Sequence, residues 1–159
     1  MTEPGITIQV IERGALDAMA PILAAPFDPA FNEAWTAAQI ESALLIPGTR
    51  VCALIDRGRS VAFILDRVVA AECEILLLGV CPGDRRKGYG RQLVNHVIHR
   101  CRNVGVQALF LEVRENNSAL LFYQGLGLER LGRRVGYYKD VHGQLHDAIT
   151  MRANIRVDT

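Results

Sequence analysis

The chain has 159 residues, half of them hydrophobic, which suits one domain with a substantial core. Its formal net charge of +1 gives no global field that would recruit nucleic acid or a membrane surface, and no apolar run approaches the roughly 18 residues of a membrane span. The first residues lack a basic-then-apolar leader pattern, and Cys52, Cys73, Cys81 and Cys101 form no CxxC pair, so reduced thiols in a cytoplasmic protein without zinc are expected.

Ile6, Ile8 and Val10 alternate and predict a first strand. Residues 14–24 read as a short helix stopped before Pro26. Thr36-Ala37-Ala38-Gln39 is a capping box that opens a second helix, with Ile40, Leu44 and Leu45 as its apolar stripe and Pro47-Gly48 as its end. Thr49 to Asp56 and Ser60 to Val69 are strands around Arg57-Gly58-Arg59, a hairpin signal. Glu72 to Val80 is a fourth strand, whose near-continuous apolar end predicts a central position. Residues 89–103 are helical, with Leu93, Val94, Val97, Ile98 and Cys101 on one face and Gly105 as the stop. A fifth strand spans Val106 to Arg114, and a helix runs from Asn116 to Leu126, ended by Gly127. Two strands, 128–139 and 145–153, turn at His142-Gly143. The order is strand, two helices, three antiparallel strands, helix, strand, helix, two strands, which argues for an α+β sheet flanked by helices, with residues 1–159 as one domain.

Residues 80–90, Val80-Cys81-Pro82-Gly83-Asp84-Arg85-Arg86-Lys87-Gly88-Tyr89-Gly90, join the fourth strand to a helix. Glycines let backbone approach an anion, the helix start offers unpaired N–H groups, and the cations add charge-assisted contacts. A ligand carrying several phosphates is the first suspect; a solvated basic turn is the plainer reading. No Walker GK[ST] follows, and GxGxxG is broken at Leu93. The spacing Arg85-x-x-Gly88-x-Gly90 resembles the acetyl-CoA loop of the GNAT acetyltransferases.

The stretch from Leu111 to Leu128, LEVRENNSALLFYQGLGL, is more diagnostic. It resembles the signature of the ribosomal-protein alanine N-acetyltransferases (the RimI type). Arg133-Arg134-Val135-Gly136-Tyr137-Tyr138 is similar to that group's RRxYY, Asp147-Ala148-Ile149-Thr150-Met151 to its DAIxM strand, and Phe31-x-x-x-Trp35-Thr36 to its F-x-x-x-W-S loop. The resemblance implies the GNAT acyl-CoA N-acyltransferase fold: a mixed, mostly antiparallel sheet of about seven strands flanked by about four helices. It also implies that the fourth and fifth strands splay, and that the pantetheine of acetyl-CoA lies in the gap like a partner strand. The implied reaction is direct acetyl transfer to the N-terminal α-amine of a protein, a ribosomal protein among the candidates, by a monomer or weak homodimer. A small-molecule amine, polyamine or aminoglycoside, is the alternative acceptor, and a non-catalytic acetyl-CoA-binding module the third reading.

An α-amine of pKa about 8 is already about one-tenth neutral at pH 7, whereas a lysine is neutral in only roughly one molecule in 2,500. A carboxylate acting through water is therefore an adequate base for an N-terminus. Glu112, between Leu111 and Val113, aligns with the family's base; by pattern alone it is a carboxylate on the solvent face of a strand. Glu74, on the neighbouring strand, is the other candidate, while Glu72 reads as solvated. Tyr123 is the candidate acid for the departing thiolate, and it also fits a packed pair with Phe122.

The implied cofactor set is Leu78 and Val80 on the strand, Arg85, Arg86, Lys87, Gly88, Tyr89 and Gly90 in the loop, then Asn116 and Tyr123. Counting forward from Val113 selects Asn117, counting back from Tyr123 selects Asn116, and helix register favours Asn116. Trp35, Tyr137 and Tyr138 are candidates for the acceptor side along with Glu112, with ordinary packing as the alternative. The chain departs from the family pattern at Leu77, usually small and polar, and in a segment from Tyr138 to Asp147 one residue longer than expected. His96, His99, His142 and His146 read as solvent-facing, and Cys81 as a buried small residue rather than an attacking thiol.

Overall fold

Alternating and continuous apolar runs build one mixed sheet in the computed structural model, which describes residues 4–156. The strands are β1 (Ile6–Val10), β2 (Thr49–Asp56), β3 (Arg59–Val69), β4 (Glu72–Val80), β5 (Ala108–Arg114), β6 (Glu129–Lys139) and β7 (Leu145–Asn154). Their order across the sheet is β1-β2-β3-β4-β5-β7-β6, with β4 at the centre. All neighbours are antiparallel except β4 and β5. Four α-helices flank the sheet: α1 (Ala20–Ala24), α2 (Ala37–Ala43), α3 (Tyr89–Asn103) and α4 (Ala119–Gly125). The expected element order and fold class hold.

Both sheet faces are covered. On one face, Leu54, Ile64 and Leu109 pack against Leu93 and Val97 of α3 and Leu120 of α4. On the other, Val51, Phe63 and Leu65 pack against Leu23 of α1 and Ile40 of α2. The β2–β3 hairpin turns through Arg57 and Gly58, both left-handed (φ 50° and 80°), the two-residue geometry that suits strand twist.

Two local expectations shift. The helix read over residues 14–24 is a 3₁₀ turn at Leu16–Met19 followed by α1, because Pro21 has no N–H to continue a helix across that junction. The Thr36 capping box forms, but α2 ends at Ala43, so Leu45 leaves the apolar stripe and is 61% exposed.

The feature that positions the site is a bulge in β4. Leu65 pairs with Leu77 and Asp66 with Ile75, so Leu76 is an extra residue. Ile75 faces the α3 side, while Leu76 and Leu77 both face the α1–α2 side. An added residue bends its strand, and pairing with β5 stops there, covering only Glu72–Ile75 against Ala108–Leu111. Beyond that point the two strands splay.

Candidate active site

From Leu76 to Val80, the β4 main-chain groups on the side away from β3 have no strand neighbour. This unpaired edge leads into the loop before α3. Pro82–Asp84 form a 3₁₀ turn, Arg86 and Gly88 are left-handed (φ 64° and 81°), and α3 begins at Tyr89. Among the described residues, the N–H groups of Arg85 through Arg91 donate to no protein acceptor. A Cβ added at Gly88 would meet nothing within 4 Å, so the loop's concave side is open. A Cβ at Gly90 would lie 3.2 Å from the Phe122 ring, so glycine there lets α3 approach α4 closely. Convergent free amides at a helix start, next to an unpaired strand edge, fit the diphosphate and amide-bearing arm of an acyl-CoA.

The cations of this loop are not equivalent. Arg85 donates to Pro26 O (2.7 Å) and weakly to Val80 O (3.4 Å), tying the strand end to the α1–α2 loop. Lys87 Nζ lies 3.3 Å from Asp84 Oδ1. Arg86 has no partner among the described residues and is exposed. Asp84 is buried and receives both Arg59 terminal nitrogens, at 3.0 and 2.8 Å. The Arg59 hydrogen bonds hold its carboxyl below the usual carboxylate range. Tyr89, whose ring is buried, donates its hydroxyl to Asp56 Oδ2 at 2.7 Å, leaving only its main chain on the loop's open side. The tip of the β2–β3 hairpin thus clamps the loop twice. Asp56, Arg59 and Asp84 escaped sequence reasoning because these contacts join residues 25 to 33 positions apart.

The splay opens a cleft of about 280 Å³ lined by Glu74, Leu78, Glu112, Tyr123 and Tyr138, among others. Trp35 and Tyr137 stand in the same lining, so the expected catalytic and acceptor-side residues converge. The Glu112 side chain is 14% exposed and pairs with Arg134, Nε to Oε1 2.8 Å. Arg134 reaches it across β7, over Thr150, where the facing β6 residue is Gly132. Glu74 is half-buried with no hydrogen-bond or ion-pair partner among the described residues. Burial, then the charge of Glu112, pushes its carboxyl above the ordinary range. Tyr123 is buried against Phe122, with ring centroids 5.2 Å apart, so its packing role is real. Its hydroxyl nevertheless has no partner among the described residues, and burial raises the phenol. Tyr138 donates a long hydrogen bond (3.5 Å) to Glu112 O.

The helix register that favours Asn116 is not what the chain adopts. α4 starts at Ala119, which leaves Asn116 outside it, with its carboxamide accepting from Arg114 Nη1. Asn117 lines the cleft and its Oδ1 accepts from Ala119 N (2.9 Å), so the pre-helix turn is built on Asn117.

Arg114 is a further residue that the sequence did not single out. It is 6% exposed, its Nε binds Glu33 Oε1 (2.8 Å), and its Cζ lies 3.4 Å from the Phe31 ring centroid. Phe31 also meets the His146 ring edge-on at 5.4 Å, and Val141 N donates to Ala30 O (2.9 Å). The loop between α1 and α2, with Glu33 and Trp35, is thereby fixed over the cleft. His146 is accordingly not solvent-facing: its side chain is 14% exposed and Nε2 lies 2.9 Å from Asp140 Oδ2. No cluster of metal-ligating side chains occurs among the described residues, and Cys81 is half-buried with its thiol raised by burial.

The sequence model of the acetyltransferase (GNAT) family matches residues 16–128. The chain is 32% identical over 156 residues to the N-alpha-acetyltransferase RimI of Mycobacterium tuberculosis, covering 95% of this chain and 93% of that one. It is 36% identical over 99 residues to the [ribosomal protein bS18]-alanine N-acetyltransferase of Escherichia coli K12, a match spanning 62% of this chain and 66% of that relative, just under two thirds of its length. The crystal structure of the ribosomal-protein-S18-alanine N-acetyltransferase from Escherichia coli superposes with a TM-score of 0.82 at 29% identity, covering 97% of this chain and 96% of that one. The splayed sheet, the glycine loop and these matches agree, and the chain belongs to the GNAT acetyltransferase family.

Proposed function

We propose that the protein is an acetyl-CoA-dependent N-acetyltransferase whose acceptor is the N-terminal α-amine of a protein, an alanine-first ribosomal protein in keeping with the names of its relatives. The observation that carries this reading is the lining of one cleft by both the Glu112 carboxylate and the Tyr123 phenol, beside an unpaired β4 edge that runs into an amide-rich loop.

Acetyl-CoA supplies its acetyl group as a thioester: the amine nitrogen forms a C–N bond to the carbonyl carbon, the C–S bond breaks, and coenzyme A leaves as a thiolate. Arg86 to Gly90 offer main-chain amides to the diphosphate, and Leu78 and Val80 offer the β4 edge to the pantetheine arm. Holding both reactants in one slot supplies several kcal/mol of the barrier through orientation alone. Glu112 takes the ammonium proton, directly or through water, and the second proton, shed by the nitrogen as the amide forms, goes to the departing sulfur or to solvent. Tyr123 faces the sulfur with a hydroxyl that has no protein partner among the described residues, and it donates a hydrogen bond to the departing thiolate. Because burial holds this phenol firmly protonated, stabilising the sulfur anion is the larger part of its role. Trp35, Tyr137 and Tyr138 line the acceptor side.

Tyr123→Phe keeps the ring packing and removes the hydroxyl. Its kcat is expected to fall about 10- to 100-fold, the worth of a hydrogen bond to a charged group, with no change in melting temperature. Full turnover in this variant would remove Tyr123 from the chemistry. Arg59→Ala releases one clamp on the glycine loop. Arg59 is 64% exposed, so the effect is modest: KM for acetyl-CoA rises about five-fold with kcat unchanged in steady-state kinetics. An unchanged KM would contradict the clamp.

A second reading has one observation in its favour. Glu33, Glu74 and Glu112 all line the cleft, and Glu74 has no ion-pair partner among the described residues. A carboxyl group with no cation of its own also suits a polyamine. Thiol release with acetyl-CoA separates the two, using alanine-first peptides, internal-lysine peptides and spermidine as acceptors. Turnover on the alanine-first peptide alone is expected; turnover only on spermidine would replace the protein acceptor.

A further inference from the structure

Among the described residues, Arg134 is the one cation that contacts the proposed base, and a base held by a guanidinium is not free to accept a proton. Its Nε lies 2.8 Å from Glu112 Oε1, while its side chain is 61% exposed and its Cζ sits 5.3 Å from the Tyr137 ring centroid at the cleft rim. The pairing resembles a bound substrate in outline: a cation from the solvent side occupies the carboxylate that the acceptor's ammonium has to reach. The β6 backbone gives this side chain a defined starting point. Arg134 is the last β6 residue in register with β7 before the chain bulges outward through Val135, Gly136 and Tyr137, and Gly136 N anchors that bulge on Asp147 Oδ1 at 2.9 Å.

We propose that Arg134 is a positioning residue that stands in for the acceptor ammonium, holding the Glu112 side chain turned into the cleft until the acceptor displaces it. This rests on the reading of Glu112 as the base. Two arrangements support displacement rather than a permanent pair. Arg134 is mostly in water, so its ion pair is screened and weak, and releasing it costs little. The Tyr137 ring already lies beside the paired guanidinium, so it can keep Arg134 at the cleft rim once Glu112 is released. Arg114 contrasts on both counts, being buried and held by Glu33, Phe31 and Asn116.

The charges around Glu112 come from every neighbouring element. Glu74 faces it from β4, with Arg67 of β3 acting on Glu74, and Tyr138 and Arg134 face it from β6. Arg114 and Glu33 sit further along the same cleft, and Tyr123 of α4 lies opposite. Removing Arg134 leaves Glu112 without its ion-pair partner. A cationic acceptor then meets the Glu112 carboxylate without competition and binds it more tightly.

The test measures binding of two cationic probes, an alanine-first hexapeptide and spermidine, to the coenzyme A complex by calorimetry at pH 8. In Arg134→Gln, both probes are expected to bind about three- to ten-fold more tightly, with coenzyme A affinity unchanged; Arg134→Lys restores wild-type binding. In Glu112→Gln, adding Arg134→Gln produces no further tightening, because the two act on one site. Equal or weaker probe binding in Arg134→Gln, or tightening that persists without the Glu112 carboxylate, overturns the proposal. Full turnover in Glu112→Gln instead overturns the base on which it rests.

Discussion

The Glu112→Gln variant loses about a thousand-fold in kcat while keeping its affinity for acetyl-CoA, and the deficit shrinks above about pH 9. Glutamine matches the carboxylate in shape, so the cleft, the Tyr138 contact to the Glu112 carbonyl and the β5–β7 register stay in place. What disappears is the acceptor for the amine's proton. Above the α-amine's pKa of about 8 the substrate arrives already neutral, and a base has little left to do. That pH dependence separates a base from a residue that merely shapes the pocket, because a shaping residue would cost the same at every pH. Glu74 offers the internal comparison. It shares the cleft, it has no protein partner among the described residues, and burial and the charge of Glu112 favour its protonated form. Glu74→Gln is expected to cost less than about ten-fold. If Glu74→Gln brought the larger loss and the altered pH profile, the base would be Glu74.

Arg114→Met is the expected large stability effect. The substitution keeps an unbranched apolar stem but leaves the Glu33 carboxylate, whose side chain is only 16% exposed, without its cation. Breaking a pair this buried costs about 3 kcal/mol, which is roughly 9 °C in melting temperature for a domain of this size. The same change takes the guanidinium from over Phe31 and frees Asn116, so the loop between α1 and α2 loosens over the acceptor side. KM for the acceptor rises in step, while that for acetyl-CoA stays. Adding Glu33→Gln recovers most of the lost melting temperature, because a neutral amide does not need the cation. Calorimetry on the single and double variants checks both points; a single variant melting within about 1 °C of wild type would show that the pair contributes nothing.

The sheet was legible because strand and helix periods differ. β2 and β4 match their apolar runs residue for residue, and α3 matches its predicted span. The glycine loop was legible because its chemistry is local: free amides, glycine geometry and a helix start are all set within residues 80–91. What the sequence could not show is anything made by distant pairs. The clamp of Arg59 on Asp84, the seat of Arg114 between Glu33 and Phe31, and the reach of Arg134 across β7 each join separate elements. The preference for Asn116 over Asn117 rested on the helix beginning with asparagine, whereas a turn closed by Asn117 N on Arg114 O precedes it. The bulge at Leu76 was equally hidden, since an extra residue in a strand leaves no mark in an apolar run.

A crystal structure of the coenzyme A complex tests the central claim most directly. The diphosphate is expected within hydrogen-bond distance of the main-chain N–H groups between Arg86 and Gly90, the pantetheine amides on the free edge of β4, and the sulfur in contact with the Tyr123 hydroxyl. Coenzyme A bound away from the splay of β4 and β5, or a thiol pointing away from Tyr123 and Glu112, would contradict it.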